Sequence, residues 1–251
     1  MNRFFVEPIG EKEITARIVG EDVNHIRNVL RMRIGEEVML CDGAGMEYLG
    51  VIEEISSSEV CVAIRSRERT RSELPVKLVL FQGLPKKDKM DLIVQKAVEL
   101  GVSEIVPVMT KRVIVKLEDP KKEAKKLERW NAIAKSAAEQ SGRGVVPVVR
   151  GVISYKEAVK EAAALDYAMI PYEKARGMRS LKEAACEIAK ASSAGILIGP
   201  EGGFEESEVL EASGAGIRPV SLGSRILRTE TAGLAALSVV GYEIEVTREE
   251  G

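Results

Sequence analysis

Two rhythms of apolar residues run along the chain, and one gives way to the other near residue 75. Before that point short stretches alternate apolar and polar positions, as half-buried strands do. EITARIVG (13–20), EEVMLCDG (36–43), YLGVIEEI (48–55) and EVCVAIRSRE (59–68) are the strand candidates. Gly43 to Gly45 and Ser56 to Ser58 supply turns between the last three. Between the first two, VNHIRNVLRMR (23–33) has helical spacing, with Asp22 placed to cap it and Gly35 to close it. One short helix among several strands predicts a small β-barrel or curled sheet. RSRERTRSELP (65–75) has no apolar period and ends in proline, which marks a boundary. Its arginines, Arg65, Arg67, Arg69 and Arg71, fit a soluble linker and a phosphate-contacting hinge equally well.

Beyond the boundary, strands alternate with helices. KLVLFQGL (77–84) predicts a strand, KKDKMDLIVQKAVELG (86–101) an amphipathic helix with Asp88 as cap and Gly101 past its end, and SEIVPVMT (103–110) the next strand. Such a βαβ unit commits this half to a parallel α/β sheet with right-handed crossovers. A long helix from about Lys121 to Gln140 follows. VVPVVR (145–150), YKEAVKEAAA (155–164), DYAMIPYE (166–173) and SLKEAACEIAKA (180–191) continue the alternation. Two strand-to-loop junctions close it. ILIGPEGGF (196–204) turns from a buried strand into a glycine loop, and the acidic residues after it suit a helix N-terminus. RPVSLG (218–223) ends a short strand, and SRILRTETA (224–232) leads into a helix over GLAALSVVGYE (233–243). In open α/β sheets ligands gather at the carboxyl ends of strands, so the two loops are read as walls of one site.

Composition narrows the chemistry. The 251 residues are 45% hydrophobic but only 4% aromatic, so the core must be Val, Ile, Leu and Ala, and a row of stacking aromatics for single-stranded nucleic acid is absent. No apolar run reaches the roughly 18 residues that cross a bilayer, and MNRFFVEPIGEKE lacks a signal-peptide core; a cytoplasmic protein with no membrane partner is expected. Cys41, Cys61 and Cys186 are odd in number and widely spaced, and read as reduced packing residues. The net charge of −2 hides a gradient: residues 1–75 carry 10 basic and 14 acidic side chains, residues 76–130 carry 13 and 8. RNA, if bound, must meet local basic faces, for which Arg3, Arg27, Arg31 and Arg33 in the first half and Lys86, Lys87, Lys89, Arg112 and Arg143 in the second are candidates.

No phosphate-loop or dinucleotide fingerprint is present. Glu201 inside the glycine loop would oppose a pyrophosphate, which favours a ligand with hydroxyls or a positive centre; a nucleoside bearing a sulfonium meets that description. Arg225, Arg228 and Glu230 in one tight segment form either a structural ion pair or a substrate grip with acid/base capacity. His25, the single histidine, lies outside this half, so a histidine-based triad or metal site there is excluded.

IGPEGGF (198–204) with LGSRILRTETA (222–232) resembles the signature pair of the RsmE family, which methylates a uridine of small-subunit (16S) ribosomal RNA at N3 using S-adenosylmethionine. HIRNVLRMRIGEEV (25–38), KAVELGV (96–102), RW (129–130) and AAEQSGR (137–143) are similar to that family's pattern in the same order. The resemblance implies a PUA-like RNA-binding β-barrel over 1–72 and a SPOUT-type methyltransferase domain over 73–251, an α/β fold with a C-terminal trefoil knot. It implies a homodimer that needs no metal and acts on small-subunit RNA or the assembled subunit. It implies cofactor contacts at Ile170, Pro171, Tyr172, Glu173, Leu197, Gly199, Pro200, Glu201, Gly202, Leu222, Gly223, Ile226, Leu227 and Arg228. Arg228 is then the candidate for stabilising charge on the uracil oxygens, and Glu230 for taking or relaying the imide proton. Two other readings stay open on the sequence: a methyltransferase of the same fold for another RNA site, and a noncatalytic RNA-binding assembly factor.

Overall fold

The computed structural model describes residues 1–114, 119–175 and 179–250. They form two compact units, one of Met1–Glu73 with Ala138–Val146, the other of Leu74–Ala137 with Pro147–Gly251.

In the first unit five strands, β1 (Arg3–Phe5), β2 (Thr15–Val19), β3 (Glu37–Cys41), β4 (Met46–Ile55) and β5 (Glu59–Arg69), pair in the order β1-β3-β4-β5-β2. Alternation puts Ile18, Val38, Leu40, Ile52, Val60 and Val62 on the inner face, where Phe4 and Ile26 complete the core. Strand β1 has only three residues and pairs in parallel with β3, too little for an apolar period to reveal. The stretch expected to be one helix is broken: α1 (Glu21–Asn24) passes into a π-helical turn at His25–Val29. Gly20, not Asp22, occupies the N-cap, and Asp22 falls in the first turn. The expected linker is also corrected, because β5 runs on to Arg69: Arg67 and Arg69 pair with β4, and Arg65 lies at a bulge between them and the rest of the strand.

The segment 138–146 joins this unit through Glu73. The Glu73 carboxylate accepts from the Arg143 guanidinium, from the Gly144 N–H at 3.0 Å and from the Val145 N–H at 3.3 Å. Gly144 packs so closely that a Cβ there would lie 2.6 Å from Cβ of Thr70.

In the second unit β6 (Lys77–Gly83), β7 (Glu104–Met109), β8 (Val148–Val149), β9 (Ile153–Ser154), β10 (Tyr167–Pro171), β11 (Ser193–Ile198) and β12 (Arg218–Val220) make one parallel sheet. The order is β12-β10-β11-β6-β7-β8, with β9 also on β7. Helices α2 (Lys89–Glu99), α3 (Pro120–Gln140), α4 (Tyr155–Ala163), α5 (Arg179–Ile188), α6 (Glu206–Gly214) and α7 (Thr229–Glu250) connect or follow the strands. Both faces of the central strands are buried, which is why β6 and β11 read as largely apolar runs without alternation. Strand β9 escaped the pattern because it is two residues long. Ser154 then closes a capping box with Glu157 that starts α4. Helix α7 begins four residues before the predicted stretch, so Thr229 and Glu230 lie in its first turn.

The strand order sets up the site. The chain builds outward from β6 to β7 on one side, then fills the other side with β11, β10 and β12, so the carboxyl ends of these strands surround a change of direction, where open α/β sheets bind ligands. Among the described residues no helix is long and apolar enough to cross a membrane, and no group of three or more His, Cys, Asp or Glu could hold a metal.

Candidate functional site

Three strand-end loops meet over one cleft. Pro171, Tyr172 and Glu173 come from the end of β10, and Ile198 to Phe204 from the end of β11. Ser221, Leu222, Gly223, Arg225, Ile226 and Leu227 come from the loop after β12, Thr229 and Ala232 from α7, and Arg112 from the loop after β7. The glycine loop is folded hard upon itself. A Cβ on Gly199 would lie 3.0 Å from Cα of Gly203, and one on Gly83 2.7 Å from the nitrogen of Pro200, so neither position admits a side chain without moving backbone. The Gly203 N–H donates to the Pro200 carbonyl at 2.8 Å and closes the turn.

Buried polar contacts fix the loop from both sides. Glu208 is fully buried; it accepts from the Glu205 N–H at 2.8 Å and the Lys111 N–H at 2.9 Å, which explains the acidic start of α6 better than helix polarity does. Thr229 joins three elements. Its hydroxyl donates to the Gly199 carbonyl at 2.6 Å and accepts from the Gln82 side-chain amide at 2.9 Å. Gln82 is fully buried and also donates to the Gly83 carbonyl at 2.9 Å.

The charges are arranged differently from the sequence expectation. Glu201 does not stand alone in the loop: its Oε1 accepts from the Lys86 N–H at 3.0 Å and lies 3.2 Å from Lys89 Nζ. Burial by itself would raise its pKa, but the backbone N–H donors and Lys89 outweigh that and hold it below the ordinary carboxylate value. The same Lys89 Nζ is 3.2 Å from Glu230 Oε2, an ion pair without hydrogen-bond alignment. Lys89 therefore spans the glycine loop and the first turn of α7. Partial desolvation would lower its pKa, yet the two carboxylates raise it overall. On pattern alone Lys89 belonged to a basic RNA face; the helical spacing of α2 gave no sign of this bridge.

Most residues expected to hold a cofactor line the cleft. Ile170 and Leu197 do not: they are buried in β10 and β11, one residue short of the loops. Arg228 is exposed and outside the cleft lining, with its carbonyl accepting from the Thr231 and Ala232 N–H groups at the start of α7, whereas Arg225 is in the lining. Gln82 and Thr229 were missed. The only signal available for Thr229 was its place at a helix start, and for Gln82 a polar residue in an otherwise apolar strand.

The expected RNA contacts divide sharply. Arg27, Arg31, Lys86, Lys87 and Arg112 are exposed, although Arg112 also donates to the Gly202 carbonyl at 2.7 Å. Arg3 is half-buried and donates to Glu47 at 2.8 Å and Cys41 at 2.9 Å. Arg143 is 3% exposed and committed to Glu73. These two guanidiniums stabilise the first unit and are not presented to a phosphate backbone.

The cleft thus offers backbone amide and carbonyl groups from three tight loops and the aliphatic side chains of Leu222, Ile226 and Leu227. Glu173, Glu201 and two arginines supply its charge, and Ile226 stands 84% exposed in its lining. Such a mixture suits a nucleoside with an aliphatic tail, and offers no metal set.

Known proteins resemble this chain over nearly its whole length. Residues 72–241 match an RNA methyltransferase domain and residues 20–65 an RNA methyltransferase PUA domain. The chain is 40% identical over 255 residues to the ribosomal RNA small subunit methyltransferase E of Bacillus subtilis, covering 99% of each chain. It is 31% identical to the protein of that name from Mesomycoplasma hyopneumoniae, over 95% of this chain and 98% of the other. A crystal structure of the Neisseria gonorrhoeae protein of that name, bound to S-adenosylmethionine, superposes with a TM-score of 0.85 at 34% identity, covering 96% of this chain and 97% of that one.

Proposed function

This chain belongs to the ribosomal RNA small subunit methyltransferase E family, and we propose that it transfers the methyl group of S-adenosylmethionine to N3 of a uridine in small-subunit ribosomal RNA. The observation that carries the reading is the convergence of the loops after β10, β11 and β12 on one cleft with crowded glycines at its wall. The cleft fits the cofactor: close backbone approach at Gly199 and Gly202 suits a ribose and adenine edge, and Leu222, Ile226 and Leu227 suit its apolar faces. Pro171 to Glu173, Gly199 to Gly202, Leu222, Gly223, Ile226 and Leu227 are the proposed holders, with Ile170 and Leu197 supporting the loops from within their strands. When bound, S-adenosylmethionine supplies a sulfonium-activated methyl group.

The chain's own task is to position and deprotonate uracil. Arg228 is exposed and carries no ion pair among the described residues, which leaves its guanidinium available to the uracil carbonyl oxygens as negative charge develops there. Glu230, half-buried and held by Lys89, is the proposed acceptor of the imide proton. Because N3 is engaged in base pairing, the target must be unpaired or extruded. Arg27 and Arg31 in the PUA-like unit, and Lys86, Lys87 and Arg112 in the methyltransferase unit, are proposed to hold RNA phosphates.

A trefoil knot in the C-terminal segment is also proposed. In support, Thr229 is hydrogen bonded to both Gly199 and Gln82, and a Cβ added at Gly233 of α7 would lie 3.6 Å from the Ile198 side chain. For a homodimer, the exposed Val239 and Tyr242 of α7 offer an apolar face. The proposed place of action is the cytoplasm, where ribosomal subunits are available.

The test is mass spectrometry of ribosomal RNA from cells with and without this protein, beside calorimetry with S-adenosylmethionine. Loss of one N3-methyluridine in the small subunit is expected, restored by the wild-type chain and not by Arg228→Ala. No cofactor binding, or an unchanged methyluridine content, would overturn the reading.

A further inference from the structure

The loop between β6 and α2 serves two cavities. Lys86 and Lys89 hold Glu201 of the cleft, while Lys87 and Asp88 between them line a second cavity of about 400 Å³, larger than the cleft at about 190 Å³. Lys87 takes a φ of 57°, an unfavourable value for a residue with a side chain, so the alternation of neighbours between the two cavities is imposed by the surrounding structure.

The cavity's apolar wall is Leu84, Met90, Leu127, Trp130 and Val152. Of its ionic groups, Arg129 is paired with Asp91, and Arg150 with Glu104 and Glu161. Lys87, Lys126, Asp88 and Glu123 have no ion pair among the described residues. Unpaired carboxylates would repel a free pyrophosphate or sulfate. They would accept hydrogen bonds from the ring and exocyclic N–H groups of a base, while the two lysines meet phosphates along the same strand. An uncharged, planar, donor-bearing ring with its phosphates at the edge satisfies wall and ionic groups together.

We propose that this cavity is a nucleotide subsite, taking an unpaired base of the RNA strand that carries the methylated uridine. It rests on the RNA-methylating function proposed above, and it gives substrate selection to a place other than the methyl-transfer cleft. The shared loop couples them: an occupant drawing on Lys87 and Asp88 acts on the segment that fixes Glu201 and Glu230.

Trp130 is the only tryptophan, so the protein's indole fluorescence reports on this cavity alone. Gly151 also lines it, and a Cβ there meets no atom within 4 Å, so Gly151→Leu adds bulk without displacing the protein. The full-length protein is titrated with a mixed-sequence single-stranded RNA of roughly ten nucleotides and with the corresponding duplex. Saturable quenching by the single strand and not the duplex is expected. Gly151→Leu and, independently, Lys126→Glu should raise both the RNA Kd and the RNA KM at least about tenfold, with the S-adenosylmethionine Kd unchanged. RNA binding without a change in Trp130 fluorescence, equal quenching by duplex, or unchanged RNA KM in Lys126→Glu would overturn the subsite. Failure of the wild-type chain to bind S-adenosylmethionine would instead sink the methyltransferase reading, and the fluorescence titration still decides the cavity.

Discussion

Thr229→Val removes one hydroxyl and almost nothing else, yet it cuts the joint between β6, the glycine loop and α7. Valine matches threonine in shape, so the cost is polar. The Gly199 carbonyl loses the donor at 2.6 Å, a loss of about 1–3 kcal/mol for a group left without a partner. Gln82 keeps its bond to Gly83 but loses the second, which adds about 1 kcal/mol. The total, about 2–4 kcal/mol, falls on the second unit, where Trp130 is buried and reports unfolding. With a urea dependence of about 2–3 kcal/mol per molar, the unfolding midpoint should drop by about 1 M. Thr229→Ser keeps the hydroxyl and loses one methyl, so it should cost only about 1 kcal/mol. Calorimetry should show the S-adenosylmethionine Kd at least about tenfold weaker in the valine variant and near wild type in the serine variant. Equal midpoints for the two variants, or unchanged cofactor affinity in Thr229→Val, would refute the assignment of this hydroxyl as the pin of the cleft.

Arg228→Ala should lower kcat by about 100-fold or more with little change in cofactor Kd, as befits a group acting on developing charge, and single-turnover methylation measures it. Glu201 has a folded pKa held below its ordinary value of 4.5, so its contribution to stability is present above that value and is lost as pH falls through the lower one. Urea midpoints measured between about pH 5 and pH 3 should therefore fall less steeply in Glu201→Gln than in the wild type. Arg143→Ala strands the Glu73 carboxylate and should destabilise the first unit by about 3 kcal/mol, read as earlier proteolysis of that unit, while the cofactor Kd stays unchanged. Arg143→Lys should recover little of this, because the two-pronged contact needs a guanidinium.

The parallel sheet and the two loops of the cleft were legible because long apolar strands and glycine clusters leave strong local signals. ILIGPEGGF and RPVSLG end β11 and β12, on either side of β10, and their loops line one cleft. What local pattern could not carry was pairing at a distance. Gln82 and Thr229 are 147 residues apart, and Lys89 reaches Glu201 and Glu230 across a similar span. Arg3 and Arg143 show the converse: a basic residue looks the same in sequence whether it faces water or a buried carboxylate, and both of these found the carboxylate. The short strands β1 and β9, of three and two residues, left no apolar period of their own.

Glu73 and its partners have a consequence for how the protein is made. The first unit is not a continuous stretch of chain: its closing segment, Ala138–Val146, arrives only after the 73 residues from Leu74 to Val146 have been synthesised. At about 5–20 residues per second that is a delay on the order of 4–15 s, during which Glu73 has no Arg143 and Thr70 no Gly144 to pack against. The N-terminal unit therefore cannot be completed until synthesis has passed Val146. A gene fragment cut at residue 73 would encode its five strands but not the clasp that finishes them.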